Sequence, residues 1–160
     1  MHRTRYRAAL ATVVLALLAA GMIGGEMATA QGDVHVVMRF NSVTERFVDL
    51  DGDGRLELGD RVEARAKLFD AAATDEKVGR AFGTCLVERR IEPGVSGLWR
   101  CTYLLKLAEG TIILDGLDPA GPGVYELAVT GGTGAYSVAN GVATFTDTNT
   151  RTDMQITFGP

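Results

Sequence analysis

Residues Val124 to Tyr136, reading VYELAVTGGTGAY, limit the fold more than any other segment. A β-forming apolar run leads straight into Gly131, Gly132, Thr133 and Gly134. An aromatic residue follows, and a second β-rich run begins near Val142. Glycine adopts positive φ without a Cβ clash, so this spacing predicts a hairpin with its turn at the glycines. A strand also follows the glycines, so no helix N-terminus is available there to hold a phosphate.

The rest of the chain reads the same way. From Arg61 to Phe69 the sequence alternates strictly. Val62, Ala64, Ala66 and Leu68 fall on one face, and Arg61, Glu63, Arg65 and Lys67 on the other. Period two with this contrast predicts a strand with one buried and one wet face. Val34 to Phe40 forms the expected first strand. Further strands are expected near 80–90, 98–107, 111–117, 124–130, 138–146 and 151–158. Turn residues separate them at Pro93-Gly94, Glu109-Gly110, Pro119 to Gly123 and Asp147 to Asn149. No amphipathic helix is expected after residue 31. The fold class is all-β, a barrel or a sandwich.

Several motifs select the barrel. Gly59-Asp60, Lys67-Leu68-Phe69, Val78-Gly79, Gly83-Thr84-Cys85, Asp115-Gly116 and Ala128 to Gly134 occur in this order between residues 47 and 146. Together they resemble the allene oxide cyclase and dirigent-like family. The resemblance implies a single small antiparallel β-barrel of about eight strands, calycin-type, with an apolar cavity lined by Val62, Ala64, Ala66 and Leu68. It also allows a trimer. Plant relatives are cyclases or guides of radical coupling. The cyclases use a first-strand glutamate and a second-strand asparagine. Ala66 stands at the asparagine position, and no glutamate matches between Met38 and Asn41; Glu45 is near but out of pattern. Allene oxide cyclase activity itself is therefore not implied. The dirigent signature ends Ala-Arg-Gly, whereas this chain has Ala139-Asn140-Gly141, with Val138 in place of a common glycine.

The N-terminus predicts export. Arg3, Arg5 and Arg7 precede an apolar run from Ala8 to Ile23, and Gly24-Gly25 breaks it. Ala28-Thr29-Ala30 then supplies the small residues of a cleavage site. Residues 1–30 read as a secretory signal peptide and 31–160 as one barrel domain, secreted, with no membrane contact after cleavage. The run is shorter than the roughly 20 residues of a membrane span. Of 16 basic and 20 acidic side chains, three arginines and one glutamate lie in the leader, so the remainder carries 13 and 19. That acidic balance argues against nucleic acid as a partner.

Both cysteines follow the leader. A hairpin centred at Pro93 sets Cys85 opposite Cys101, and an exported chain favours the disulfide. The family resemblance offers a rival, because the cyclase relatives carry a cavity cysteine at the position of Cys85.

Residues 49–60, DLDGDGRLELGD, carry the ligand spacing of an EF-hand loop. Asp49, Asp51 and Asp53 occupy positions 1, 3 and 5, and Gly54 the sharp turn. Arg55 would offer its carbonyl, with Glu57 at position 9 and Asp60 at position 12. This pattern predicts a structural Ca2+ site. The competing account is a solvated acidic turn, since Asp-Gly pairs turn without metal. No organic cofactor is expected.

Catalytic groups are sparse. His35 is the only histidine after the leader, which excludes a multi-histidine zinc site. No serine sits in a nucleophile elbow. Asp115, ending an apolar strand, is the one carboxylate singled out for acid–base work. Arg89, Tyr103, Glu126 and Tyr136 are further polar candidates for a cavity. Two functions remain open. The first is a barrel that binds a small apolar ligand. The second is a cyclase or isomerase that folds a natural-product intermediate into a reactive conformer.

Overall fold

The structure is a computed structural model that describes residues 32–89 and 97–159. The expected signal peptide and the Pro93-Gly94 turn lie outside the described residues.

Among the described residues nine strands follow in chain order: β1 Val34–Arg39, β2 Thr44–Val48, β3 Arg61–Asp70, β4 Lys77–Arg89, β5 Leu98–Lys106, β6 Gly110–Asp118, β7 Gly123–Gly134, β8 Gly141–Asp147 and β9 Arg151–Phe158. All pairings are antiparallel, in the order β1-β9-β8-β7-β6-β5-β4-β3, and β1 pairs back to β3 to close the ring. β2 adds no stave. It continues β1 along β3 after a 3-10 turn at Phe40–Ser42, β1 facing Leu68–Asp70 and β2 facing Arg61–Arg65. The result is a closed eight-stranded antiparallel barrel. Closure removes the unpaired edges that an open sheet would expose.

β2 is the strand absent from the sequence reading. Four of its five residues, Thr44 to Phe47, are exposed, so it carries no apolar alternation.

The glycine segment corrects one expectation. Gly131–Gly134 is not the turn. It is the end of β7, paired with Gly110–Ile113 of β6 after a bulge that skips Thr130. The turn comes later, and β8 starts at Gly141. Glycine is still required. Gly134 has φ +63°, where a side chain is strained. At Gly132 a Cβ would strike the carbonyl oxygens of Thr111 and Tyr136. That close approach lets Tyr136 fold back, buried, and stack on Phe158 at 5.7 Å.

Period two persists through the wall. Leu68, Leu105, Ile112, Leu114, Leu127 and Ile156 point inward and are fully buried. They fill the end nearest Tyr136, and burying each contributes roughly 1.5–3 kcal/mol. The described residues leave the other end unfilled.

Candidate functional site

The unfilled end holds a cavity of about 470 Å³. Its space comes from small residues facing one another across β3 and β4. Ala66 pairs with Ala81 and Ala64 with Gly83, and all four line the cavity. Gly83 has a second use. A Cβ there would lie 2.6 Å from the Tyr103 ring, which rests across it from β5.

The expected lining set divides. Ala64 and Ala66 border the cavity. Leu68 is buried in the packed end, and Val62 packs on the two cysteines. Arg65 and Lys67 face outward and are exposed.

Cys85 and Cys101 are directly paired across β4 and β5 and form a disulfide. They lie inside the barrel beside Trp99 and Tyr103. Cys85 is thus not the free thiol that the cyclase relatives suggested.

A chain of polar groups crosses the cavity wall. Consecutive strands supply it at inward positions: Tyr103 on β5, Asp118 on β6, Tyr125 on β7, Asp147 on β8 and Thr152 on β9. Tyr103 donates its hydroxyl to Asp118 Oδ2 at 2.9 Å. The Tyr125 hydroxyl lies 3.1 Å from the same oxygen and 3.3 Å from Asp147 Oδ2. Ala120 N–H donates to Asp118 Oδ1 at 3.0 Å. Tyr125 stacks on Phe145 at 5.0 Å, which fixes its ring.

A phenol has one proton and cannot donate fully to two carboxylates at once. Asp118 competes for that proton with Asp147. Burial raises the Asp147 pKa; the Thr152 hydroxyl opposes this, the Asp118 charge reinforces it, and the Tyr125 hydroxyl opposes it weakly. Tyr103 and Tyr125 both resist ionisation, first through burial. For Tyr103 the Asp118 charge comes next, and for Tyr125 the neighbouring Tyr103 and then Asp118.

This arrangement predicts a pH effect. A carboxyl whose folded pKa is raised contributes stability that is full below its unfolded value of about 3.9 and falls as pH rises through the folded value. Asp147→Asn should therefore melt higher than the parent at pH 7, with the difference shrinking toward pH 4. Equal melting temperatures at pH 7 would contradict the raised pKa.

Asp115, the carboxylate singled out from sequence, is on the outer wall. It accepts a hydrogen bond from Thr102 at 2.8 Å and does not line the cavity. The inward set on β6 is Ile112, Leu114 and Asp118. Glu126 is exposed, and Tyr136 closes the opposite end. Arg89 is exposed at the end of β4 and does not border the cavity. Glu45, set aside as out of pattern, does line the cavity, together with Trp99.

The acidic loop divides as well. Asp49, Asp51 and Asp53 bring a carboxylate oxygen each within 4.8 Å of one another. Gly52 and Gly54 donate N–H to Asp49 at 2.6 and 2.7 Å, which lowers the Asp49 pKa. Asp51 accepts from Asp53 N–H, and Asp53 from Arg55 N–H. Asp60 stands apart from the trio and is buried. Its two oxygens accept Leu50 N–H and Glu57 N–H, each at 2.9 Å, tying the loop to the rim. Three carboxylates at positions 1, 3 and 5 fit a hard cation, whereas closure by position 12 is not formed.

Comparison with known proteins agrees with this architecture. The family described as Dirigent-like protein matches residues 34–158. No curated protein sequence matches the chain. Among solved structures, a pyocyanin demethylase superposes with TM-score 0.61 at 21% identity, over 78% of this chain and 99% of that one. The Diels Alderase AbmU from Streptomyces koyangensis gives 0.59 at 14% identity, over 79% and 63%. A nonspecific heme-binding cyclase that catalyses [4 + 2] cycloaddition in neoabyssomicin biosynthesis gives 0.60 at 16%, over 100% and 82%. At these identities the likeness is one of fold.

Proposed function

Because the chain belongs to the dirigent-like family, we propose that its barrel binds a small, largely apolar molecule in the cavity beside Ala64 and Ala66. The observation that supports this most is space. The inward positions of β3 and β4 carry alanine and glycine where a self-filled barrel would carry bulk, and about 470 Å³ is left between them and the aromatic wall. Pockets of this size hold small organic ligands. Titration with 1-aminoanthracene, an uncharged fluorescent aromatic, tests it. Saturable binding that protects the protein from heat is expected; no enhancement up to the probe's solubility limit counts against it.

The polar chain favours a second reading, a cyclase that orders a flexible substrate. The apolar wall would hold the reactive conformer, and the Tyr125 hydroxyl, turned from Asp118 to the substrate, would donate to an oxygen that gains charge during ring closure. The neighbours named for cycloaddition supply the reaction class. Cyclisation leaves mass unchanged, so the test is a new peak of identical mass when the protein is added to a metabolite extract. Tyr125→Phe should slow its appearance by roughly 10²-fold. A peak that forms equally fast without protein rejects catalysis.

The protein is proposed to act outside the cell, cleaved after Ala30. Intact mass of the secreted form should begin at Gln31. The Asp49–Asp51–Asp53 trio is proposed to take Ca2+ weakly, with Kd of order 10⁻⁴ to 10⁻³ M. At ten times Kd this stabilises the fold by about 1.4 kcal/mol. Thermal melts in Ca2+ and in chelator should differ for the parent and coincide for Asp51→Ala. Identical melts for the parent would leave the loop as a solvated turn.

A further inference from the structure

We propose that the ligand of this cavity is an organic cation, an apolar, ring-bearing molecule with one positively charged nitrogen. The inference rests on the ligand-binding reading above and narrows it to a chemical class.

Charge is the first ground. The solvent-exposed Glu45 and the more buried Asp118 and Asp147 border the cavity, and among the described residues no lysine, arginine or histidine does. None of the three forms an ion pair among the described residues. The nearby cations have partners of their own on the outer surface: Arg39 with Asp75, Arg46 and Arg61 with Glu63, Arg100 with Glu88, and Arg151 with Asp153. Asp147 Oδ1 is buried with no hydrogen-bond partner among the described residues. The tyrosine hydroxyls reach only Oδ2 of each aspartate. A carboxylate in an apolar enclosure is costly unless an opposite charge or sufficient donors meet it. Among the described residues this wall supplies donors for part of that demand and no cation for the rest.

The second ground is the apolar surface around the acids. Trp99, Tyr103, Tyr125 and Phe145 line the same space. Aromatic rings attract cations through their quadrupole, and Trp does so most strongly. Acids and rings together suit a charge spread over or attached to an organic skeleton. An anion would meet three acidic groups, and a neutral molecule would leave Asp118 and Asp147 without an opposite charge.

A metal ion fits less well. Among the described residues, the carboxylate trio whose oxygens fall within 4.8 Å of one another is Asp49, Asp51 and Asp53, in the outer loop. Glu45, Asp118 and Asp147 do not form such a trio.

The experiment uses three probes of nearly one shape: N-methylquinolinium, its uncharged isostere 1-methylnaphthalene, and 1-naphthoate. Calorimetric titration of the full barrel is expected to give a Kd for the cation at least tenfold below that of the isostere, with the anion weakest. The Glu45→Gln/Asp147→Asn double variant should narrow the gap to under threefold. If the isostere binds as tightly as the cation, the cavity reading stands and the cation is rejected. A preference that survives the double variant and also Asp118→Asn would place its source outside the cavity and reject the proposal too. Binding of none of the three, with 1-aminoanthracene also failing, would reject the ligand-binding reading itself. Should the double variant not fold, the order of the three probes on the parent decides.

Discussion

Replacing Cys85 and Cys101 together by alanine is expected to lower the stability of the barrel by about 3 kcal/mol. The cross-link joins residues 16 apart. In the chain-entropy account, a loop of that size restrains the unfolded state by that amount. For a domain of this length the loss is a fall in melting temperature of roughly 10 °C. The two sulfurs are also core atoms. Cys101 is fully buried and Cys85 nearly so, and Val62 packs on both. Their loss should therefore be felt at the site. The Tyr103 hydroxyl lies 3.7 Å from Cys85 Sγ while it donates to Asp118. Chemical denaturation of the parent, oxidised and reduced, beside the double variant separates the two contributions. The reduced parent should lose the chain-entropy part, and the variant should lose the packing part as well. A combined loss below about 1 kcal/mol would mean that the unfolded chain is already restrained without the bond.

Much of this barrel can be read from alternation, and the misreadings share a cause. Val62, Ala64, Ala66 and Leu68 show their face because charged residues separate them. Eight strands came from such runs and from turn residues between them, and eight staves close the ring. β2 escaped because a strand wet on most positions has no apolar period to detect. The polar chain escaped for a different reason. Asp118 precedes Pro119, and Asp147 precedes Thr148-Asn149, so each reads as a turn residue. Extending the inward parity from Ile112 and Leu114 to position 118, and from Ala143 and Phe145 to position 147, places both inside. Asp115 has the opposite parity and was singled out for its apolar neighbours. The chemistry expected, a carboxylate against a tyrosine, was legible. Its address depended on how far each strand runs, and strand ends are the least determined part of such a reading. Glu45 was further hidden because its inward placement depends on the 3-10 turn that re-registers β2 on β3.

Ala66→Trp should abolish binding of 1-aminoanthracene, raising its Kd by more than 100-fold, while the barrel still folds. Ala66 faces Ala81 across β3 and β4, and both border the cavity. An indole at position 66 has the cavity volume of about 470 Å³ to enter. It would meet Trp99, Tyr103 and Phe145 and cover much of the surface that a ligand would use. Its own apolar area is buried at the same time, at roughly 25 cal/mol per Å², so the folded state need not be destabilised. A packed interior would respond in the opposite way, because forcing an indole into filled space costs about 1–3 kcal/mol or more. One variant thus distinguishes a receptacle from a solid barrel. Melting within a few degrees of the parent, with probe binding lost, is the expected pair of results. Melting far below the parent would mean that no usable space exists beside Ala66. Unchanged probe binding in a folded variant would mean that the probe sits elsewhere, and the ligand site would have to be moved from this cavity.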